Sequence, residues 1–229
     1  MCGRYTVTMD KESIEFHFNA KFVAKDFFNP TYNAAPSQKL PIIRTYHSHR
    51  IELGTWGFWP EEWKHSKRVR PQINARVEMA AEKPMFRDSF ATRHCMVITD
   101  GYYGWFVDPR SGRKQPYRIM LKSGEPFAMA GIYARNDDRT AFDDAESATV
   151  NFAILTTKAN DAVSHIHERM PVILPLGREK QWLPAQPSGM IVLAPFPAEL
   201  MTAYPVTPKM NNARFNEPEA IKPLVPAII

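Results

Sequence analysis

At 229 residues, with 44% hydrophobic and 23% charged side chains, the chain is long enough to bury one large core and has the composition of a globular protein. No apolar run approaches membrane-spanning length, and the N-terminus lacks the basic-then-apolar layout of a signal peptide, so membrane anchoring is not expected and a cytoplasmic protein is. Cys2 and Cys95 are its two cysteines, too few for a disulfide framework or a zinc cluster, and the formal charge of +5 suits a polyanionic partner.

The chain opens Met1-Cys2-Gly3-Arg4. Removal of Met1, usual before a small residue, leaves a thiol and a free α-amine on one carbon of Cys2. An α-amine titrates near ~7.7–8.0 and a thiol near ~8.5, so both are partly reactive at neutral pH. The amine can condense with an aldehyde to a Schiff base, which the thiol closes into a five-membered thiazolidine. From these four residues alone, a buried cysteine without chemistry is the commoner outcome.

Gly3 to Thr8 alternates as a short strand. Asp10 is an N-cap for a helix over Lys11 to Phe18, with Ile14, Phe16 and Phe18 as its apolar contacts. Leu40 to Tyr46 and Arg50 to Trp56 are β-rich runs flanking the turn His47-Ser48-His49, which predicts a hairpin. Between Trp56 and Arg93 lie Lys64, Lys67, Arg68, Arg70, Arg76, Arg87 and Arg93, interleaved with Trp56, Trp59 and Trp63. Cations that hold phosphates beside rings that stack on bases point to single-stranded nucleic acid, with a packed core as the competing role for the tryptophans.

Met79 to Phe90 has a helical pattern interrupted by Pro84, and Cys95 to Thr99 is an apolar strand ended by Asp100-Gly101. Asp108 to Lys114 is a turn, followed by strands over Tyr117 to Leu121 and Phe127 to Tyr133. Asn136 to Ala148 holds five acids and one arginine, a local −4 that leaves +9 on the rest of the chain. Val150 to Thr156 is a core strand, Asn160 to Val163 a helical turn, Ile166 to Leu174 a strand-like run, Arg178 to Trp182 a short helix and Tyr204 to Thr207 a final strand. Of His165 and His167, one is expected as an acid–base group, and neither has further ligands at metal spacing. Many short strands and twenty prolines predict a single β-rich α+β domain over 1–229.

Six segments in order resemble the SRAP (SOS response-associated peptidase) family: Cys2-Gly3-Arg4-Tyr5, Tyr32-Asn33-Ala34-Ala35-Pro36, Trp56-Gly57-Phe58, Ile73-Asn74-Ala75-Arg76-Val77-Glu78, Asp100-Gly101-Tyr102-Tyr103-Gly104-Trp105 and His167-Glu168-Arg169-Met170-Pro171. The resemblance runs to about residue 175, and the last fifty residues add little to it. It implies a β-barrel-like core of mostly antiparallel strands with short peripheral helices. It also implies a protein that binds single-stranded DNA and bonds its N-terminal cysteine to abasic sites as a thiazolidine, without a cofactor or metal. On the same resemblance Cys2 is the nucleophile, both for DNA and for self-processing of Met1. Asn74 holds the N-terminus, His167 assists sugar opening and proton transfer, and Arg4, Arg76 and Arg169 meet phosphates. Trp63, Lys64 and Arg87, from the basic tryptophan-rich region, complete the expected DNA contacts, and a monomer is expected.

One position departs from the family pattern. Gly104 stands where the family has a glutamate that exchanges protons as the Schiff base forms. A water in the vacated volume, or Asp100, Asp108 or Glu78 reaching in, are the candidate replacements. The alternative function is a non-covalent single-stranded DNA-binding protein whose chemistry is weakened by that loss.

Overall fold

A computed structural model describes residues 2–23, 28–45, 47–60, 62, 70–136, 149–184 and 193–224. The predicted contacts at Trp63 and Lys64, the basic residues Lys67 and Arg68, and the acidic segment at 137–148 lie outside the described residues.

In chain order the elements are β1 (Tyr5–Val7), α1 (Lys11–Phe18), β2 (Lys21–Phe22), β3 (Thr31–Ala34), β4 (Lys39–Arg44), β5 (Arg50–Trp56), β6 (Asn74–Arg76), α2 (Val77–Ala80), α3 (Pro84–Thr92), β7 (His94–Thr99) and β8 (Gly101–Val107). Then follow β9 (Lys114–Leu121), β10 (Phe127–Asn136), β11 (Thr149–Lys158), β12 (Arg169–Pro171) and β13 (Met201–Pro205), with short 3₁₀ turns between them. Asp10 caps α1 as predicted, its carboxylate accepting from the Ser13 amide at 2.7 Å. The helical pattern is interrupted ahead of Pro84 as predicted, and Pro84 is the first residue of α3, where its missing N–H costs nothing.

The hairpin β4–β5 pairs antiparallel from Lys39↔Thr55 to Ile43↔Ile51. From it the sheet runs β5-β4-β7-β10-β11, and a parallel pairing of Asn151 with Thr55 and Phe152 with Trp56 returns β11 to β5. Those five strands close a barrel, which removes its two free edges. All six residues of β7 are buried, because one face fills the barrel and the other is covered by neighbouring elements. A second sheet, β13-β9-β8-β1-β3, carries the N-terminus. The α+β class and the mostly antiparallel barrel-like core are therefore present, and among the described residues no helix is long and apolar enough to cross a membrane.

Three sequence expectations are corrected, and the choice left open for Trp56 is decided. Phe16 is 91% exposed, since it lies between Ile14 and Phe18 in sequence and hence on the opposite side of α1 from their shared buried face. Trp56 is fully buried, its ring edge-on to Tyr5 and its Nε1 donating to the Ile73 carbonyl at 2.9 Å, so it belongs to the core and not to a stacking surface. The Ile166–Leu174 run is a strand over Arg169–Pro171 alone. Residues 160–167 form turns instead, with Ser164 N–H donating to Asn160 O and His167 N–H to Val163 O. The final strand is shifted earlier, to Met201–Pro205, where it pairs with β9.

Candidate active site

Strand β1 places Cys2 between the two sheets. Its side chain is free, 2% exposed, and its thiol donates to the Arg4 carbonyl over 3.7 Å. Burial pushes that thiol up to about 12. At pH 7 the thiol is therefore protonated in the resting site.

Asn74 begins β6, which lies parallel to β11 with Asn74 opposite Ile154. Its Nδ2 donates to the Cys2 carbonyl at 2.8 Å, a bond across 72 residues that fixes the direction of the N-terminus. Its Oδ1 is buried and has no partner among the described residues.

His167 ends the turn after β11 and is half-buried. Its Nδ1 accepts the Arg169 amide at 3.0 Å, so the neutral ring carries its proton on Nε2. Burial, with positive charge nearby, holds this imidazole below its ordinary range. It is therefore neutral at physiological pH, with Nε2–H as a donor, and it takes up a proton only by giving up the Arg169 amide at Nδ1.

Cys2, Tyr102, Tyr103, Gly104, Ile119, Val163, His167 and Arg169 surround one small cavity of about 10 Å³, roughly the room one water-sized atom needs. Gly104 forms part of its wall. A Cβ built there would lie 2.8 Å from Ile166 Cγ2 and 3.2 Å from Ile119 Cδ1. A side chain at position 104 would thus meet Ile166, and the room left along Gly104 is that of the single water-sized cavity.

The three candidate acids are separated by the fold. Asp100 is at the far end of β8, buried and held by Thr6, Thr8 and Arg118. Asp108 accepts from the Arg110 amide and Ser111 hydroxyl in an exposed turn. Glu78 alone adjoins the site, through Arg169: the guanidinium makes two parallel 2.8 Å bonds to its carboxylate and a further one to the Thr156 carbonyl. The Arg169 hydrogen bonds hold the Glu78 carboxyl below the usual range.

Beside this pair runs an open groove of about 520 Å³ lined by Arg76, Glu78, Met79, Lys158, Glu168 and Arg169. Arg76 is exposed there, at the end of β6 that begins with Asn74. The remaining predicted contacts lie elsewhere. Arg87 is exposed on α3 beside Asp88 at 3.3 Å. Arg4 is turned inward, with Nη1 donating to Asn33 Oδ1 at 2.8 Å and to Met210 O at 3.1 Å, and Nη2 to Asn211 O at 3.3 Å. His165 is exposed, its ring edge-on to Tyr117. Among the described residues no cluster of three or more His, Cys, Asp or Glu side chains gathers as a metal site would.

The structure adds residues that the sequence did not single out. Asn33 donates through Nδ2 to the carbonyls of Met210, Asn212 and Phe215, joining the C-terminal segment to Arg4. Lys158 joins the groove because β11 and β12 pair Lys158 with Arg169. No local pattern announces either. Ile166 could have been found: it precedes His167 directly.

The model of the family described as SOS response associated peptidase (SRAP) matches residues 1–213. The abasic site processing protein YoqW of Bacillus subtilis (strain 168) is 36% identical over 229 residues, covering 97% of this chain and 99% of that one. The abasic site processing protein YedK of Escherichia coli (strain K12) is 28% identical, covering 98% and 100%. A crystal structure of a protein from Bacteroides thetaiotaomicron is similar with a TM-score of 0.81 and 27% identity, over 98% of this chain and 100% of that one. With the barrel, the ordered motifs and the Cys2–Asn74–His167 grouping in place, the chain belongs to the SRAP family.

Proposed function

We propose that this protein binds single-stranded DNA and, once Met1 is removed, links Cys2 covalently to the ring-opened sugar of an abasic site. The observation that carries the reading is the Asn74 bond to the Cys2 carbonyl, which aims an aminothiol at a cavity shared with His167 and Arg169. The relatives named abasic site processing proteins support the substrate class. Exposed Arg76 and Lys158 give the groove a positive lining for phosphates. Arg169 would meet a phosphate only by sharing or exchanging its bonds to Glu78.

The chemistry follows from which group is reactive. The thiol is protonated, so the amine adds first: its nitrogen bonds to sugar C1 as the carbonyl electron pair moves to oxygen. Loss of that oxygen as water leaves an imine. Sulfur then bonds to C1, its proton passes to the imine nitrogen, and the thiazolidine is complete. His167, neutral at this pH, is the group that carries protons between these atoms. Self-processing uses the same thiol: attack of Sγ on the Met1 carbonyl frees the Cys2 amine, and hydrolysis of the resulting thioester releases methionine.

The alternative, a non-covalent DNA-binding protein, is favoured by Gly104, which brings no carboxylate to the cavity. Mixing Met1-processed protein with abasic single-stranded DNA separates the two. An SDS-stable adduct is expected from the processed form and none from a form that retains Met1, whose Cys2 nitrogen is an amide. Binding without an adduct in both forms would establish the alternative. In either case affinity should fall with salt, at a log–log slope of about −0.7 per phosphate neutralised, and intact duplex should compete poorly.

The pH dependence has a defined sign. The amine must be deprotonated, so the rate of adduct formation should rise through roughly pH 7.7–8.0. Because the His167 value is depressed, its protonation should cut the rate only below pH ~6.5. The unfolded chain then binds that proton more tightly than the folded one, so stability from this group is present above ~6.5 and declines as pH falls toward the folded-state value. A second rate limb, one that disappears in His167→Ala, at or above the ordinary histidine value of about 6.5 would contradict this assignment.

A further inference from the structure

Strand β8 alternates its side chains across the second sheet. Tyr103 points to one face, where its hydroxyl donates to the Tyr32 carbonyl at 2.7 Å and sits 3.3 Å from that of Ala220. Tyr102 shares the opposite face with Gly104, and both line the cavity at Cys2. The register Tyr5↔Tyr102 sets Tyr102 beside Tyr5, directly along β1 from Cys2. Tyr102 is 3% exposed, and its hydroxyl has no hydrogen-bond partner among the described residues. Tyr5 also has a buried, unpartnered hydroxyl, but its ring packs on Trp56 and it does not line the cavity.

An unsatisfied buried hydroxyl is destabilising, and native proteins keep few of them. The cavity that Tyr102 shares with Cys2 and His167 has room for one water-sized atom. Under the proposed function, the oxygen on sugar C1 is the atom that gains charge as the amine adds and that departs as water. Burial, and to a lesser degree the nearby Cys2 thiol, hold the phenol well above its ordinary range, so it stays protonated and acts as a donor.

We infer that the Tyr102 hydroxyl is a catalytic residue of this site, donating a hydrogen bond to the C1 oxygen as the Cys2 amine adds and as that oxygen leaves. It supplies a fixed dipole where negative charge develops, and so offsets in part the absence of a side chain at Gly104. The phenol keeps its proton throughout. Both protons on the departing water originate on the attacking amine, relayed by way of His167, so the net reaction remains aldehyde plus aminothiol giving thiazolidine plus water.

The inference rests on the proposed function, and one experiment keeps the two apart. Met1-processed parent and Tyr102→Phe proteins are compared in single turnover with saturating abasic single-stranded DNA. Adduct formation by Tyr102→Phe should be at least tenfold slower. Its affinity for undamaged single strands should match the parent, and its melting temperature should be equal or higher, since an unpaired hydroxyl has been removed. An equal rate in the two proteins overturns the Tyr102 assignment while leaving the proposed function standing. A slower rate accompanied by lowered melting temperature also overturns it, because the hydroxyl would then be structural. No adduct from the parent overturns both.

Discussion

Cys2→Ala is expected to abolish the adduct with abasic single-stranded DNA completely while leaving affinity for the strand within about twofold. The variant lacks the thiol of self-processing, so its Met1 is removed beforehand with an added methionine aminopeptidase; a Schiff base can then form, but nothing closes it, and an imine reverts in water. Cys2→Ser gives the same result, because a hydroxyl closes the ring far less readily than sulfur. The side chain is 2% exposed and makes one long contact, to the Arg4 carbonyl, so truncation removes little binding surface. Gel electrophoresis under denaturing conditions measures the adduct, and fluorescence anisotropy the affinity. An undiminished adduct in either variant would move the chemistry to another nucleophile, such as a lysine.

Gly104→Glu is expected to act in two directions at once. The new Cβ would meet Ile166 Cγ2 at 2.8 Å, so Ile166 must move. Overpacking of this kind costs about 1–3 kcal/mol, which for a domain of this size lowers the melting temperature by roughly 2–12 °C. A carboxylate beside Cys2 also adds a proton-transfer group, and such groups contribute about 10²–10⁴-fold to rate. The variant should therefore form adduct faster in single turnover while melting lower. Gly104→Ala should lose stability without gaining rate, since it adds bulk alone. Pairing Gly104→Glu with Ile166→Ala tests the contact: the two stability losses should add to less than their separate values, because they meet at one place. No gain in rate from a folded, processed Gly104→Glu protein would show that a carboxylate at this position has no part in the reaction here.

Local signals were legible where local chemistry decides the outcome. Asp10 marked the start of α1 to the residue, and His47-Ser48-His49 separated two strands that do pair. The closure of the barrel was not legible. It depends on Asn151 and Phe152 meeting Thr55 and Trp56 in parallel, nearly a hundred residues apart, and such a pairing leaves no periodicity in either segment. The run from Ile166 misled because its apolar, β-branched residues suit a buried turn as well as a strand. At the site, motif order located Cys2, Asn74 and His167, which the structure gathers around the N-terminus. What the sequence could not convey was occupancy. That Gly104 faces Ile166, and that Glu78 is engaged by Arg169, are facts of packing between segments tens of residues apart.

The knot of Arg4 and Asn33 with the carbonyls of Met210, Asn211, Asn212 and Phe215 has a consequence for synthesis. A ribosome delivers residues 2 to 4 first and residues 210 to 215 last. Arg4 therefore gains its bonds to the Met210 and Asn211 carbonyls only when the tail has emerged, while its Asn33 partner and the Asn74 partner of Cys2 are made much earlier. Chains that stop short near residue 205 would carry every motif of the family and still lack the Met210 and Asn211 carbonyls that Arg4 binds.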